Sequence, residues 1–228
     1  MFSLHFELIS FLGRVPAPFS LYYRNHRRLS KLVVRPNTEI VIEGFPRCAN
    51  SFAVLAFEQA QHKEVRIAHH LHAQSQFILG ARFQIPILIL IREPVSAVAS
   101  LVARHPEIKI KAALKQYIRF YEAVDDFRSA LVVADFKSIT SNYASVIASV
   151  NARFGTSFEV YNNCPEEDAR VFAIIDQLNE DNENGKINQL ARPSDAKSSV
   201  ISEGRKCIET HALTERAYSA YIKCTVRK

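Results

Sequence analysis

The chain is short of several things that would place it quickly. No stretch of about 18 consecutive apolar residues occurs, which excludes a helix that spans a bilayer. The most apolar run, Ile85 to Ile91, is far too short for that. The four cysteines, Cys48, Cys164, Cys207 and Cys224, form no C-x-x-C pair. The sequence therefore offers neither the spacing of a structural zinc site nor a disulfide framework, and a reducing, cytoplasmic compartment is expected. Internal repeats and low-complexity tracts are also missing. What is there is an ordinary globular balance, with 48% hydrophobic and 23% charged residues, which excludes wholesale disorder. At 228 residues the chain reads as one domain, 1–228, large enough to bury a core without metals or cross-links.

Net charge is +6. A basic balance of this kind points to phosphate- or sulfate-bearing partners, nucleic acid or acidic membrane. The cluster Arg24, His26, Arg27 and Arg28 has only Tyr22 and Tyr23 beside it. Without an aromatic repeat it reads as a solvated face, and no nucleic-acid partner is expected. The first fourteen residues, MFSLHFELISFLGR, are apolar but carry His5 and Glu7 and lack a basic n-region. They read as a docking helix rather than a signal peptide, with a membrane-surface helix as the alternative.

Four short β-rich runs alternate with helical patterns. Glu39 to Glu43 (EIVIE) is followed by Gly44 and then by a helix over Ser51 to Gln61 with a dense apolar face. Val65 to Ala68 leads into a histidine cluster. Pro86 to Ile91 (PILILI) is a continuous β-branched run of the kind that is buried on both faces of a parallel sheet. Pro94 then opens a helix over Val95 to Arg104. Ile110, Ala113, Leu114, Tyr117, Ile118 and Tyr121 repeat at helical spacing, Leu131 to Ala134 is another strand, and Thr140 to Phe154 is an amphipathic helix stopped by Gly155. Residues 160–228 read as mainly helical, with a loop at Asn179 to Lys186. The pattern predicts an α/β three-layer sandwich with a mostly parallel central sheet, P-loop NTPase-like, carrying a helical C-terminal part. Ligands of such sheets bind beyond the carboxyl ends of the strands, so the residues after each strand carry the functional signal.

After the first run comes Gly44-Phe45-Pro46-Arg47-Cys48-Ala49-Asn50-Ser51. Set against the Walker pattern G-x-x-x-x-G-K-[ST], Gly44 and Ser51 match the ends, Ala49 replaces the second glycine and Asn50 replaces the lysine. Free amides at a helix N-terminus still favour an oxyanion there. Ordinary ATP hydrolysis needs the lysine that is missing. The segment GFPRCANSF resembles the 5′-phosphosulfate-binding loop of sulfotransferases that use 3′-phosphoadenosine 5′-phosphosulfate (PAPS) as donor. Gly44, Pro46, Arg47, Asn50, Ser51 and Phe52 fit that pattern. Cys48 stands where serine is usual, exchanging a hydroxyl donor for a weak thiol one, and Ala49 where glycine is commonest, which limits access to positive φ.

The third run is followed by Arg92-Glu93-Pro94 and, eight residues after Arg92, by Ser100. This resembles the second signature of the same family, whose arginine and serine contact the 3′-phosphate of the donor. Arg92 offers a fork of donors at a strand end, and Ser100 lies about two turns along the following helix. Val133-Ala134-Asp135-Phe136 extends the resemblance, which covers residues 39–155. The segment Ala191 to Lys197 is the candidate for the basic loop that completes the 3′-phosphate site in relatives.

Ala68-His69-His70-Leu71-His72 holds three of the eight histidines. The resemblance places His70 at the family's general base when Leu71 is aligned, with His69 and His72 as competitors. If the segment is extended, His70 and His72 share one face and His69 takes the other. Metal ligation by the same histidines is the rival reading, without an acidic partner at convincing spacing. No metal is therefore expected.

The resemblance implies sulfuryl transfer from PAPS to a hydroxyl or amine of a small-molecule, lipid or glycan acceptor. His70 and Arg47 would be catalytic. Arg47, Cys48, Ala49, Asn50, Ser51, Phe52, Arg92 and Ser100 would bind the donor. Peripheral membrane contact stays open. The alternatives are a P-loop phosphotransferase and a catalytically degenerate nucleotide-binding or interaction module.

Overall fold

The computed structural model describes residues 2–183 and 195–226. Two helices lead the chain, α1 (Phe2–Leu12) and α2 (Pro16–Arg24). An alternating unit follows: β1 (Ile40–Gly44), α3 (Asn50–Ala60), β2 (Ile67–His69), α4 (Gln74–Arg82), β3 (Ile87–Ile91), α5 (Pro94–Arg104), α6 (Ile110–Asp126) and β4 (Val132–Asp135). The chain then runs through α7 (Phe136–Ser141), α8 (Tyr143–Phe154), α9 (Pro165–Glu183), α10 (Asp195–Glu209) and α11 (Thr214–Thr225).

The four strands form one parallel sheet in the order β2-β1-β3-β4. Every residue of β1 and β3 is buried, without the alternation of a half-exposed sheet. Both faces of the central strands are therefore covered, as the unbroken Ile/Leu/Val runs predict. Gly80 of α4 marks how close the helical layer comes: a Cβ there would lie 3.0 Å from Val41 Cγ2. The architecture is α/β, a parallel sheet flanked by helices.

Strand order fixes where the site falls. The chain leaves β1 toward β2 on one side and returns to β3 on the other. The crevice beyond the carboxyl ends of β1 and β3 is the switch point of the sheet. Gly44, the last residue of β1, is demanded by packing rather than by a turn: a Cβ would meet Leu90 O at 2.5 Å. The buried tyrosines Tyr117 and Tyr121 of α6 brace the same strand ends. Tyr117 Oη donates to Arg92 O (2.7 Å) and Tyr121 Oη to Leu90 O (2.7 Å).

Three expectations are corrected. The helix expected over Thr140 to Phe154 is two helices. Asn142 separates them at φ −155°, and its side chain caps α8 by accepting from Ser145 N at 3.3 Å. Asx residues favour such caps over helix interiors. Positions 179–183 of the loop expected at Asn179 to Lys186 are helical, because α9 continues through Glu183; residues 184–186 lie outside the described residues. The extended geometry expected for the histidine segment fails as well, for reasons given below.

Candidate active site

The loop after β1 wraps around its own backbone. Asn50 Nδ2 donates to Phe45 O at 3.0 Å, tying the helix start to the strand exit. Asn50 Oδ1 is buried and has no hydrogen-bond partner. Arg47 and Ala49 take left-handed conformations, φ 71° and 66°. Ala49 thus adopts the glycine-type geometry that its Cβ disfavours, at a cost of about 1–2 kcal/mol. Its position at the N-cap of α3 leaves the first amides of that helix facing the loop.

The sequence-predicted residues divide between side chains and backbone. Cys48 is fully buried and its thiol lies 3.4 Å from Tyr121 Oη. Burial pushes that thiol up to about 12, so it is a neutral core group. The Phe52 ring packs on Tyr161, Tyr143 and Phe172. What Cys48 and Phe52 can offer an anion is backbone N–H. Arg47 and Ser51 turn the other way and supply side chains.

Two strand-end loops meet through these side chains. Arg47 Nε donates to Ser100 Oγ at 3.0 Å, and Arg92 Nη1 donates to Arg47 O at 3.2 Å. The Arg92 guanidinium also lies over the Phe136 ring, 4.2 Å from its centroid. Arg47, Arg92 and Ser100, 53 positions apart from first to last, thus form one continuous cationic patch at the switch point. The N-terminus of α5 is already capped. Glu93 accepts from Val95 N (3.1 Å) and Ser96 N (2.7 Å) and receives the Tyr218 hydroxyl.

Arg205 of α10, a helix that packs on α5, is a further basic residue on this side of the sheet, and sequence reasoning missed it. Burial pulls the Arg92 guanidinium below its ordinary value, Cys48 and Glu93 oppose that, and Arg205 adds to it as the smallest of the four influences. The available signal was the Gly204-Arg205-Lys206 run. The expected basic segment differs: Ala191 to Ser194 lie outside the described residues, and Asp195 to Lys197 open α10.

On the other flank the three histidines cluster. His70 and His72 adopt φ 57° and 51°, so side chains do not alternate as on a strand. The His70 ring centroid lies 4.8 Å from His69 and 6.1 Å from His72. His70 Nε2 meets Ser51 Oγ at 3.2 Å, and its Nδ1 meets His69 Nδ1 at 2.5 Å. Burial first, then the charges of His69 and His72, hold His70 well below 6.5. His69 is lowered too, chiefly by burial, against the opposing pull of Glu43.

Glu43 is the second residue that sequence reasoning missed. Its side chain is wholly buried at the end of β1. The carboxylate accepts from Leu71 N (3.1 Å) and Gly44 N (3.2 Å) and lies 3.5 Å from His72 Nδ1. His72 Nδ1 meets Gly44 O at 2.7 Å. An acid that closes an otherwise apolar strand was the signal. Among the described residues no group of three or more His, Cys, Asp or Glu is arranged to hold a metal ion.

No family model matches the chain, and no curated protein sequence does. Among solved structures the chain is similar to mouse sulfotransferase SULT7A1 complexed with PAP. The identity is 13%, covering 91% of this chain and 92% of that one, with a TM-score of 0.48. A likeness at that level assigns no role to any residue.

Proposed function

We propose that the protein is a PAPS-dependent sulfotransferase acting on a hydroxyl or amine of a small-molecule, lipid or glycan acceptor. The observation that carries this reading is the joining of Arg47, Ser100 and Arg92 across two strand ends, with Ser51 linking the same loop to His70. One phosphate cradle alone would fit many nucleotides. A second cationic group beside it fits a nucleotide with a further phosphate, and the two loop signatures resemble those that hold the 5′-phosphosulfate and the 3′-phosphate.

The residues present fit such a donor. The amides of Cys48, Ala49, Asn50, Ser51 and Phe52 are the anion-binding set at the start of α3. Arg92 and Ser100 would hold the second phosphate. The bound donor supplies the sulfuryl group and a phosphate leaving group. Arg47 stabilises negative charge that grows there, as a fixed cation that needs no reorganisation.

His70 is the proton acceptor in this reading. Burial keeps it neutral at pH 7, so one ring nitrogen carries a lone pair that can take a proton. When His70 Nδ1 donates to His69 Nδ1, His70 Nε2 carries the lone pair toward Ser51 Oγ. Ser51 thus places the base beside the cradle. One observation favours a second assignment: Glu43 and Gly44 O orient His72 through its Nδ1, leaving Nε2 to act.

The test is sulfuryl transfer from PAPS by the purified protein, read as formation of 3′-phosphoadenosine 5′-phosphate with a panel of hydroxyl and amine acceptors. Binding of ATP with magnesium in preference to the bisphosphate would return the phosphotransferase reading. Bisphosphate binding without turnover on any acceptor would favour the degenerate binding module.

A further inference from the structure

The α1–α2 segment is docked by one face and left apolar on the other. Phe19 and Tyr23 are buried, and Phe6 and Ile9 pack on the core. Gly13 sits so close to α4 that a Cβ would lie 2.9 Å from Ala73 Cβ, and its carbonyl accepts from Ser75 N at 2.8 Å. The segment is therefore held firmly, yet Leu8, Phe11, Val15, Leu21 and Tyr22 face outward. Phe11 is 60% exposed and Leu21 is 70% exposed. Among the described residues nine large hydrophobics are exposed, and five of them fall within these fifteen positions. Single exposed apolar residues are ordinary; a concentration of this kind marks an interaction surface.

Charge is concentrated in the same stretch of the chain and just after it. Residues 1–35 contain six Arg or Lys (Arg14, Arg24, Arg27, Arg28, Lys31, Arg35) and one acid, Glu7. That is +5 of the whole chain's +6. Arg14 lies 5.9 Å from the Phe11 ring centroid, and the Tyr22 ring is 6.1 Å from His26. His26 Nδ1 accepts from the backbone of Arg28 (3.3 Å) and Leu29 (3.2 Å), turning the chain just after α2 with Arg27 and Arg28 exposed.

We propose that the outer face of α1–α2 docks on an anionic phospholipid bilayer. Exposed aliphatic and aromatic side chains enter the interfacial region while the arginines meet lipid phosphates, the arrangement of surface-lying amphipathic helices. Nucleic acid fits less well. Leu8, Val15 and Leu21 have no role on a phosphate backbone, where bases are stacked on aromatics instead. A neutral protein partner would not call for the charge. The proposal is independent of the transfer reaction, and either can fail without the other.

The absence of tryptophan gives the experiment its probe. Phe11→Trp and Leu21→Trp each introduce the chain's one indole on the proposed surface. With vesicles of phosphatidylglycerol in phosphatidylcholine, emission of both is expected to shift to the blue and to be quenched by brominated acyl chains. Vesicles of phosphatidylcholine alone should give little of either effect. Paired charge reversal, Arg27→Glu with Arg28→Glu, should lower vesicle partitioning roughly tenfold or more, and added salt should mimic it. Phe11→Ser with Leu21→Ser should lower partitioning at every salt concentration while leaving the melting temperature and bisphosphate binding unchanged. An indole that stays in a water-like environment on anionic vesicles overturns the proposal. So does preferential binding to double-stranded DNA or RNA, or burial of the indoles in a self-associated dimer without lipid.

Discussion

Arg47 Nε donates to Ser100 Oγ at 3.0 Å, and this bond joins the loop after β1 to the helix after β3. The sequence resemblance gives these residues to different phosphates of one donor. Their contact makes the two subsites a single charged surface, so a ligand that fills both should bind far better than one that fills either.

Ligand selectivity is the first consequence. 3′-Phosphoadenosine 5′-phosphate should raise the melting temperature clearly, and AMP much less, because a ligand selective for the native state stabilises it by mass action. Thermal scans with each nucleotide make the comparison. Equal shifts would remove Arg92 and Ser100 from the binding site.

The two arginines should also separate kinetically. Arg92→Ala is expected to weaken bisphosphate binding by roughly 1.5–3 kcal/mol, the range for hydrogen bonds to charged groups. Arg47→Ala should lower kcat more than it lowers affinity for the product nucleotide, since its charge matters most where charge develops. Titration calorimetry beside steady-state kinetics measures both. Matching losses in the two variants would contradict the division of roles.

Ala49 offers a test of the loop itself. It occupies φ 66° with a Cβ that disfavours that region by about 1–2 kcal/mol. Glycine removes the strain but frees the unfolded chain, which costs about 0.4–1 kcal/mol. Ala49→Gly should therefore stabilise by a net amount of up to about 1.5 kcal/mol, read from denaturant midpoints at constant m. A loss of stability would mean that the Ala49 Cβ makes contacts that outweigh the strain.

How much of this was visible in the chain depends on whether a feature is local. The buried runs of β1 and β3 and the order of the two loops could be read because β-branched content and strand-end position are properties of short segments. The helix break at Asn142 was also local, yet the amphipathic pattern drawn from Thr140 to Phe154 ran across it and masked the cap. Arg205 could not be ranked, because it reaches Arg92 only through the packing of α10 on α5, more than a hundred positions away. Glu43 was hidden by its own surroundings: its role depends on Leu71 and His72 folding back over the end of β1. The histidines failed most instructively. A period-two reading assumes extended backbone, and positive φ at His70 and His72 withdraws that assumption while bringing all three rings together.

The histidine cluster ties stability to pH. His70 is held well below 6.5 and His69 is lowered as well, each chiefly by burial. In the unfolded chain both titrate near about 6.5. Below that value the unfolded state takes up protons that the native state refuses. The native state is therefore favoured fully above the unfolded value and loses ground as pH falls toward the depressed folded one. The slope is about 1.4 kcal/mol per pH unit for each proton taken up. Urea midpoints should drop between about pH 7 and pH 5.5, and His69→Gln with His70→Gln should flatten that drop. An unchanged slope in the double variant would place the cluster in water rather than in the core.

The assignment of the base gives the last test. His70→Ala should nearly abolish sulfuryl transfer, by about 10²–10⁴ in rate, while bisphosphate binding stays intact. The reason is positional: His70 Nε2 reaches Ser51 Oγ, and Ser51 belongs to the cradle. His69→Ala should cost less, because His69 touches His70 and not the cradle. The pH profile distinguishes the remaining candidate. A base held well below 6.5 stays neutral as the solution is acidified, so the acid limb of kcat/KM should lie well below that value. If His72 is the base instead, His72→Ala becomes the severe variant. Glu43→Gln should then lower the rate through the lost carboxylate that orients His72 Nδ1. Under the His70 assignment Glu43→Gln should leave the position of that limb nearly unchanged. Activity should also survive EDTA, since Arg47 supplies the cation at the cradle. Full activity in His70→Ala together with loss in EDTA and recovery with zinc would defeat both assignments and give the three histidines to a metal.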